Sequence, residues 1–142
     1  MRSFCGGSQS KFYGGGDEVI KVMSVMSVMG PKYSASSIQT CNLRDAIVSS
    51  MIVNSGGLSH SKVTFMADKG GILASVHMRK GNGTLLHLID QEMSKENRSA
   101  ICHQILRDVG SSLTSLHGMG VVHCDIKPEN IVYYKEDEVG LN

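Results

Sequence analysis

The stretch His123-Cys124-Asp125-Ile126-Lys127-Pro128-Glu129-Asn130 brings a carboxylate, an ammonium group and a carboxamide close together in the chain. A carboxylate can orient a hydroxyl and take its proton, a Lys can offset negative charge, and an amide oxygen can hold a divalent cation. Phosphoryl transfer needs that set, because charge gathers on the transferred group while its acceptor is aimed and deprotonated. Asp125, Lys127 and Asn130 suit those tasks. The ordinary alternative is a polar surface turn around Pro128.

Other groupings carry less. Among four Cys and six His, Cys102-His103 and His123-Cys124 are adjacent pairs. Neighbours on a helix or strand point apart and rarely chelate one metal, so ordinary polar His and small buried thiols are preferred to a zinc site. No C-x-x-C pair occurs, which favours reduced thiols over a disulfide framework.

The elements that must position these residues follow from pattern and punctuation. Phe12-Tyr13 and Val19-Ile20-Lys21-Val22-Met23 read as two strands joined by Gly14-Gly15-Gly16-Asp17, a turn that can supply positive φ. The repetitive stretch 22–29 reads as strand, then loop at Gly30-Pro31. Asn42 is a good helix N-cap ahead of Leu43, Ala46, Ile47 and Met51, and Asn54-Ser55-Gly56-Gly57 stops that pattern. Residues 62–67 and 71–78 read as an antiparallel pair across Asp68-Lys69-Gly70. Residues 84–90 could form a short helix, and Ser94 could cap a longer one carrying Ile101, Ile105, Val109, Leu113 and Leu116. Val121-Val122 and Ile131-Val132-Tyr133-Tyr134 read as short strands flanking the polar stretch. The expected class is α+β.

Composition bounds the partners. A chain of 142 residues holds at most one ordinary domain. Its net charge of +1 gives no basic surface for nucleic acid. The most apolar run, residues 19–29, is broken by Lys21, Ser24 and Ser27 and is too short to span a bilayer, so no membrane partner is expected. No secretory signal is evident, which leads to an intracellular expectation, cytoplasm or nucleus.

Residues 121–132 resemble the catalytic loop of eukaryotic-type protein kinases, H-R-D-L-x-x-x-N. Lys127 with Pro128-Glu129-Asn130 is similar to the serine/threonine form. Val19-Ile20-Lys21 resembles the family's V-A-I-K, whose Lys holds the ATP phosphates and pairs with a helix Glu. Between positions 22 and 91 the acidic residues are Asp45, Asp68 and Asp90, so Asp45 is the partner that the resemblance offers Lys21; a plain solvated helix charge is the alternative. Residues 5–13 resemble the glycine-rich loop G-x-G-x-x-G-x-V with Gly7 retained and Ser10 in place of the third glycine. Residues 71–88 resemble the strand, hinge and short helix that hold adenine, with the hinge near Val76 and Met78. Cys124 departs from the family's Arg, which pairs with an activation-loop phosphate, and suggests a different mode of activation.

The resemblance implies a truncated protein-kinase-like fold over 1–142: an antiparallel N-lobe sheet with one helix over about 1–78, then hinge and start of the C-lobe over about 79–142. It implies transfer of the ATP γ-phosphoryl group to protein Ser or Thr, with Mg²⁺ as metal. Asp125 and Lys127 would be catalytic, Asn130 would bind Mg²⁺, and Lys21, Gly7 and Ser10, with Asp45, would serve ATP. The sequence ends at Asn142, before the family's D-F-G, so weak or absent activity is expected of this chain alone. The other readings are a non-catalytic kinase-derived module that binds another kinase or a regulatory protein, and an incomplete piece of a full kinase.

Overall fold

A computed structural model describes residues 10–57 and 59–135. Gly7 and the rest of the glycine-rich stretch ahead of Ser10 lie outside those residues. The fold is α+β, and it divides into two compact units, one ending at Lys80 and the other starting at Gly81.

The first unit is an antiparallel sheet carrying one helix. Strands β1 (Ser10–Gly15), β2 (Glu18–Met29), β4 (His60–Asp68) and β5 (Gly71–Arg79) run in the order β1-β2-β5-β4, and β3 (Lys32–Ser34) pairs with the far end of β2. The first hairpin closes through Gly16 at φ 59°, a conformation costly for residues with a Cβ. The β4–β5 turn closes because Asp68 Oδ1 accepts from Gly70 N at 2.7 Å and Gly71 N at 3.0 Å. β3 corrects the expectation of a loop after residue 29: Gly30-Pro31 turns the chain, and Lys32 pairs back onto Met29.

Helix α1 (Ser37–Asn54) begins five residues earlier than the Asn42 cap expected from sequence. Ser36 is the cap. Its Oγ accepts from Gln39 N, and Gln39 Oε1 accepts from Ser36 N, so two otherwise orphaned donors are satisfied reciprocally. Asn42 instead lies mid-helix and buried. The helix packs Ala46 and Leu43 against Met23, Val25, Ala74, Val76 and Met78 of the sheet, which form the core. Each such Val or Met contributes roughly 1.5–3 kcal/mol by leaving water.

The second unit is built on helices. Strand β6 (Gly83–Thr84) pairs with β7 (Val132–Tyr133), α2 (Leu85–Gln91) is capped by Thr84, and α3 (Arg98–Gly118) is the longest element. Ser94 does not cap α3. It exchanges bonds with Asn97, Ser94 N to Asn97 Oδ1 at 2.7 Å and Asn97 N to Ser94 Oγ at 3.3 Å, ordering the turn before the helix. Val121-Val122 is not a strand, while Val132 and Tyr133 find a partner in β6. Asn82 fastens that pairing, donating from N to Tyr133 O and accepting at Oδ1 from Lys135 N. Among the described residues, no helix is long and apolar enough to cross a membrane.

Candidate active site

In the first unit Lys21 lies on the covered face of β2. Alternation puts it on the same side as Met23 and Val25, so its stem is buried and its ammonium must find a partner. The partner is Asp45 of α1, whose Oδ2 accepts from Lys21 Nζ; the side chains are only 6% and 11% exposed. A solvated helix charge is therefore not what Asp45 is. The Phe12 ring, opposite Lys21 in the β1–β2 register, has its centroid 6.0 Å from the ammonium. Ser10 heads β1 across from Met23, and its Oγ is buried with no partner among the described residues.

One residue that interacts with both members of the pair carried no signal in the sequence. His60, at the start of β4, is held neutral to lower pH than usual, mainly by burial; the Asp45 carboxylate opposes the shift and the Lys21 ammonium adds to it. Its Nδ1 lies 2.7 Å from Ser59 Oγ. Gln39 and Asn42 of α1 face β2, where Gln39 Nε2 donates to Ser24 Oγ and Ser27 Oγ and Asn42 Nδ2 donates to the Ser24 carbonyl. The S-x-x-Q spacing of Ser36 and Gln39 was the available signal for where α1 starts.

In the second unit the polar stretch forms a loop after α3. Cys124 takes φ 66°, which turns the backbone sharply just ahead of Asp125. Asp125 N donates to His123 Nδ1 at 3.2 Å. Pro128, with φ preset by its ring, opens a 3-10 turn, Pro128–Asn130, that brings Asn130 back to Asp125. There Asn130 Nδ2 donates to Asp125 O at 3.0 Å and to Oδ2 at 2.8 Å, and Lys127 Nζ lies 3.4 Å from the same Oδ2. The three residues singled out by type and spacing are thus mutual neighbours. Burial lowers the His123 pKa, with Asp125 opposing.

This arrangement leaves groups ready for chemistry. The Asp125 side chain is about half exposed (52%), and its contacts with Asn130 Nδ2 and Lys127 Nζ are made through Oδ2. Asn130 Oδ1 is buried and has no hydrogen-bond partner among the described residues. An orphaned amide oxygen beside a carboxylate fits a hard cation such as Mg²⁺, which takes oxygen ligands. Among the described residues, no group of three His, Cys, Asp or Glu could hold a metal by themselves.

The curated proteins similar to this chain include serine/threonine kinases. Smooth muscle myosin light chain kinase of Gallus gallus is 31% identical over 104 residues, 70% of this chain and 5% of that protein. A chloroplastic serine/threonine-protein kinase of Arabidopsis thaliana is 42% identical over 48 residues, 34% of this chain and 10% of its own length. A serine/threonine-protein kinase of Drosophila melanogaster is 51% identical over 45 residues, 32% of this chain and 6% of its own length. The matched stretches thus span a tenth or less of these relatives. No family model matches the chain, and no solved structure does either. The sequence is kinase-like over partial stretches.

Proposed function

We propose that the chain carries part of a serine/threonine protein kinase site that transfers the γ-phosphoryl group of ATP to a protein hydroxyl. The observation that supports this most is the Asp125, Lys127 and Asn130 cluster, with one carboxylate oxygen directed to two donors and one amide oxygen unpartnered. In this reading Asp125 orients the acceptor hydroxyl and takes its proton as the oxygen attacks the γ-phosphorus and the bond to the β–γ bridging oxygen breaks, releasing ADP, a role worth typically 10²–10⁴-fold. Lys127 offsets charge on the transferred group. Asn130 Oδ1 would hold Mg²⁺, whose contribution when bound is to neutralise phosphate charge as a Lewis acid.

Lys21 serves the ATP phosphates in the same proposal. A buried ammonium paired to one carboxylate still has donors to offer an anion, and Asp45 fixes where they point. Ser10 and Gly7 belong to the proposed phosphate-covering loop. The protein substrate carries Ser or Thr, in keeping with the Lys127-Pro128-Glu129-Asn130 sequence.

The test is calorimetric titration of Mg-ATP into the 142-residue chain. Saturable binding that Lys21→Met weakens about tenfold or more supports the proposal. Absence of binding, or binding indifferent to Lys21→Met, refutes the ATP part of it. Binding that is retained with no transfer to any hydroxyl favours a non-catalytic nucleotide-binding module.

A further inference from the structure

We infer that Gln39 and Asn42 are positioning residues: by hydrogen-bonding α1 to β2 at a bulge, they set Asp45 where its short side chain reaches Lys21. The inference deepens the proposed ATP site and rests on that reading for its functional meaning.

The face of α1 against the sheet is unusually polar. Its buried residues are Gln39, Asn42, Ala46 and Ser49, spaced as one helical stripe. Gln39 is 6% and Asn42 1% exposed, so each amide would be costly without partners. Gln39 uses its whole amide: Oε1 accepts from Ser36 N at 2.9 Å, while Nε2 donates to Ser24 Oγ at 2.9 Å and Ser27 Oγ at 2.7 Å. It therefore ties the first turn of α1 to its own cap and to the strand together. Asn42, one turn on, donates to the Ser24 carbonyl at 2.9 Å. Asp45, about one further turn along the same stripe, meets Lys21.

The strand is shaped to receive this. In the β2–β5 register Ser24 pairs with Leu73 and Met26 with Ile72, leaving Val25 as an extra residue. Regular alternation would send Ser24 and Ser27 to opposite faces, because they are three apart. The bulge resets the alternation, and one amide nitrogen reaches both hydroxyls. The Val-Met-Ser repeat of β2 thus has a structural meaning: it places two hydroxyls three residues apart across one bulge.

Hydrogen bonds at Gln39 and Asn42 fix both the height and the rotation of α1 on β2. A carboxylate on a one-carbon stem tolerates little error in either, whereas a longer side chain could adjust by rotamer. Hydrophobic contact alone, non-directional and supplied here by Ala46 and Leu43, would not fix the register.

The experiment measures coupling. Asp45→Asn is introduced into the wild-type chain and into Gln39→Leu, and each protein is examined by urea unfolding and Mg-ATP titration. If Gln39 acts through Asp45, the drop in folding equilibrium constant caused by Asp45→Asn shrinks about tenfold in the Gln39→Leu background. Gln39→Leu alone should weaken Mg-ATP about fivefold to tenfold, with little further loss on adding Asp45→Asn. Additive effects in the unfolding series overturn the inference. Should Gln39→Leu fail to fold, Ser24→Ala/Ser27→Ala removes the same acceptors from the strand side and must give the same non-additivity. If the wild-type chain does not bind Mg-ATP, the ATP proposal fails, while the unfolding series still decides the positioning role.

Discussion

Replacing Asp45 by Ala should be among the most destabilising single changes in the first unit. The change leaves the Lys21 ammonium without its carboxylate at a site where the side chain is 6% exposed. At the surface such a pair contributes about 0–1 kcal/mol. Inside, removing one partner costs roughly 3–5 kcal/mol, because the survivor is a buried charge without compensation. Exposures of 6% and 11% put this pair in the second regime, and against a typical domain stability of about 5–15 kcal/mol the loss is large. The double change Lys21→Met/Asp45→Leu removes both charges and refills the space, so it should stay within about 1 kcal/mol of wild type or exceed it. Urea unfolding followed by far-ultraviolet circular dichroism reads all three proteins, wild type, Asp45→Ala and the double variant. An Asp45→Ala cost below about 1 kcal/mol would refute the reasoning, as would a double variant no more stable than Asp45→Ala.

Three further outcomes follow from the geometry. Because the folded-state pKa of His60 is lowered, the unfolded chain binds the proton more readily; stability is full above the ordinary value near 6.5 and falls as pH drops below it. His60→Gln should therefore lose less stability than wild type between pH 7.5 and 5.5 in urea titrations, and equal losses would show that His60 is not the group responsible. Gly71→Ala should cost about 2 kcal/mol or more, since Gly71 sits at φ 145° and a Cβ there would run into the Met26 carbonyl; an unchanged urea midpoint would contradict this. Ser36→Ala should cost about 1 kcal/mol by uncapping α1, and a loss of helicity at its first turn, followed by amide hydrogen exchange, is the readout.

The hairpins were legible because Gly14-Gly15-Gly16-Asp17 and Asp68-Lys69-Gly70-Gly71 declare turns without help from the rest of the fold. The start of α1 was not, because Gln39 and Asn42 are polar yet face the sheet, so apolar periodicity begins a turn and a half late. Asn42 looked like a cap for the same reason that it works where it is: its short amide bonds backbone, here the Ser24 carbonyl on a neighbouring strand. Pro31 looked like a terminator, but after Gly30 it is a turn residue that returns β3 to β2. Val121-Val122 has strand-like residues but pairs with no strand among the described residues. The cluster of Asp125, Lys127 and Asn130 could be anticipated since all three lie within one turn-forming stretch, whereas Lys21 and Asp45 lie 24 residues apart with no local pattern to join them, so only the family resemblance pointed to their pairing.

In the proposed function Asp125 serves a hydroxyl that receives phosphate from ATP. The most direct test of that role is single-turnover transfer of labelled γ-phosphate from Mg-ATP to a Ser- and Thr-bearing protein, using the 142-residue chain and any longer product of the same reading frame. Labelled phosphoserine or phosphothreonine is expected, formed at least about a hundredfold more slowly by Asp125→Asn with its unfolding midpoint unchanged. Transfer at equal rates with and without Asp125→Asn, or no transfer by the longer product, would contradict it.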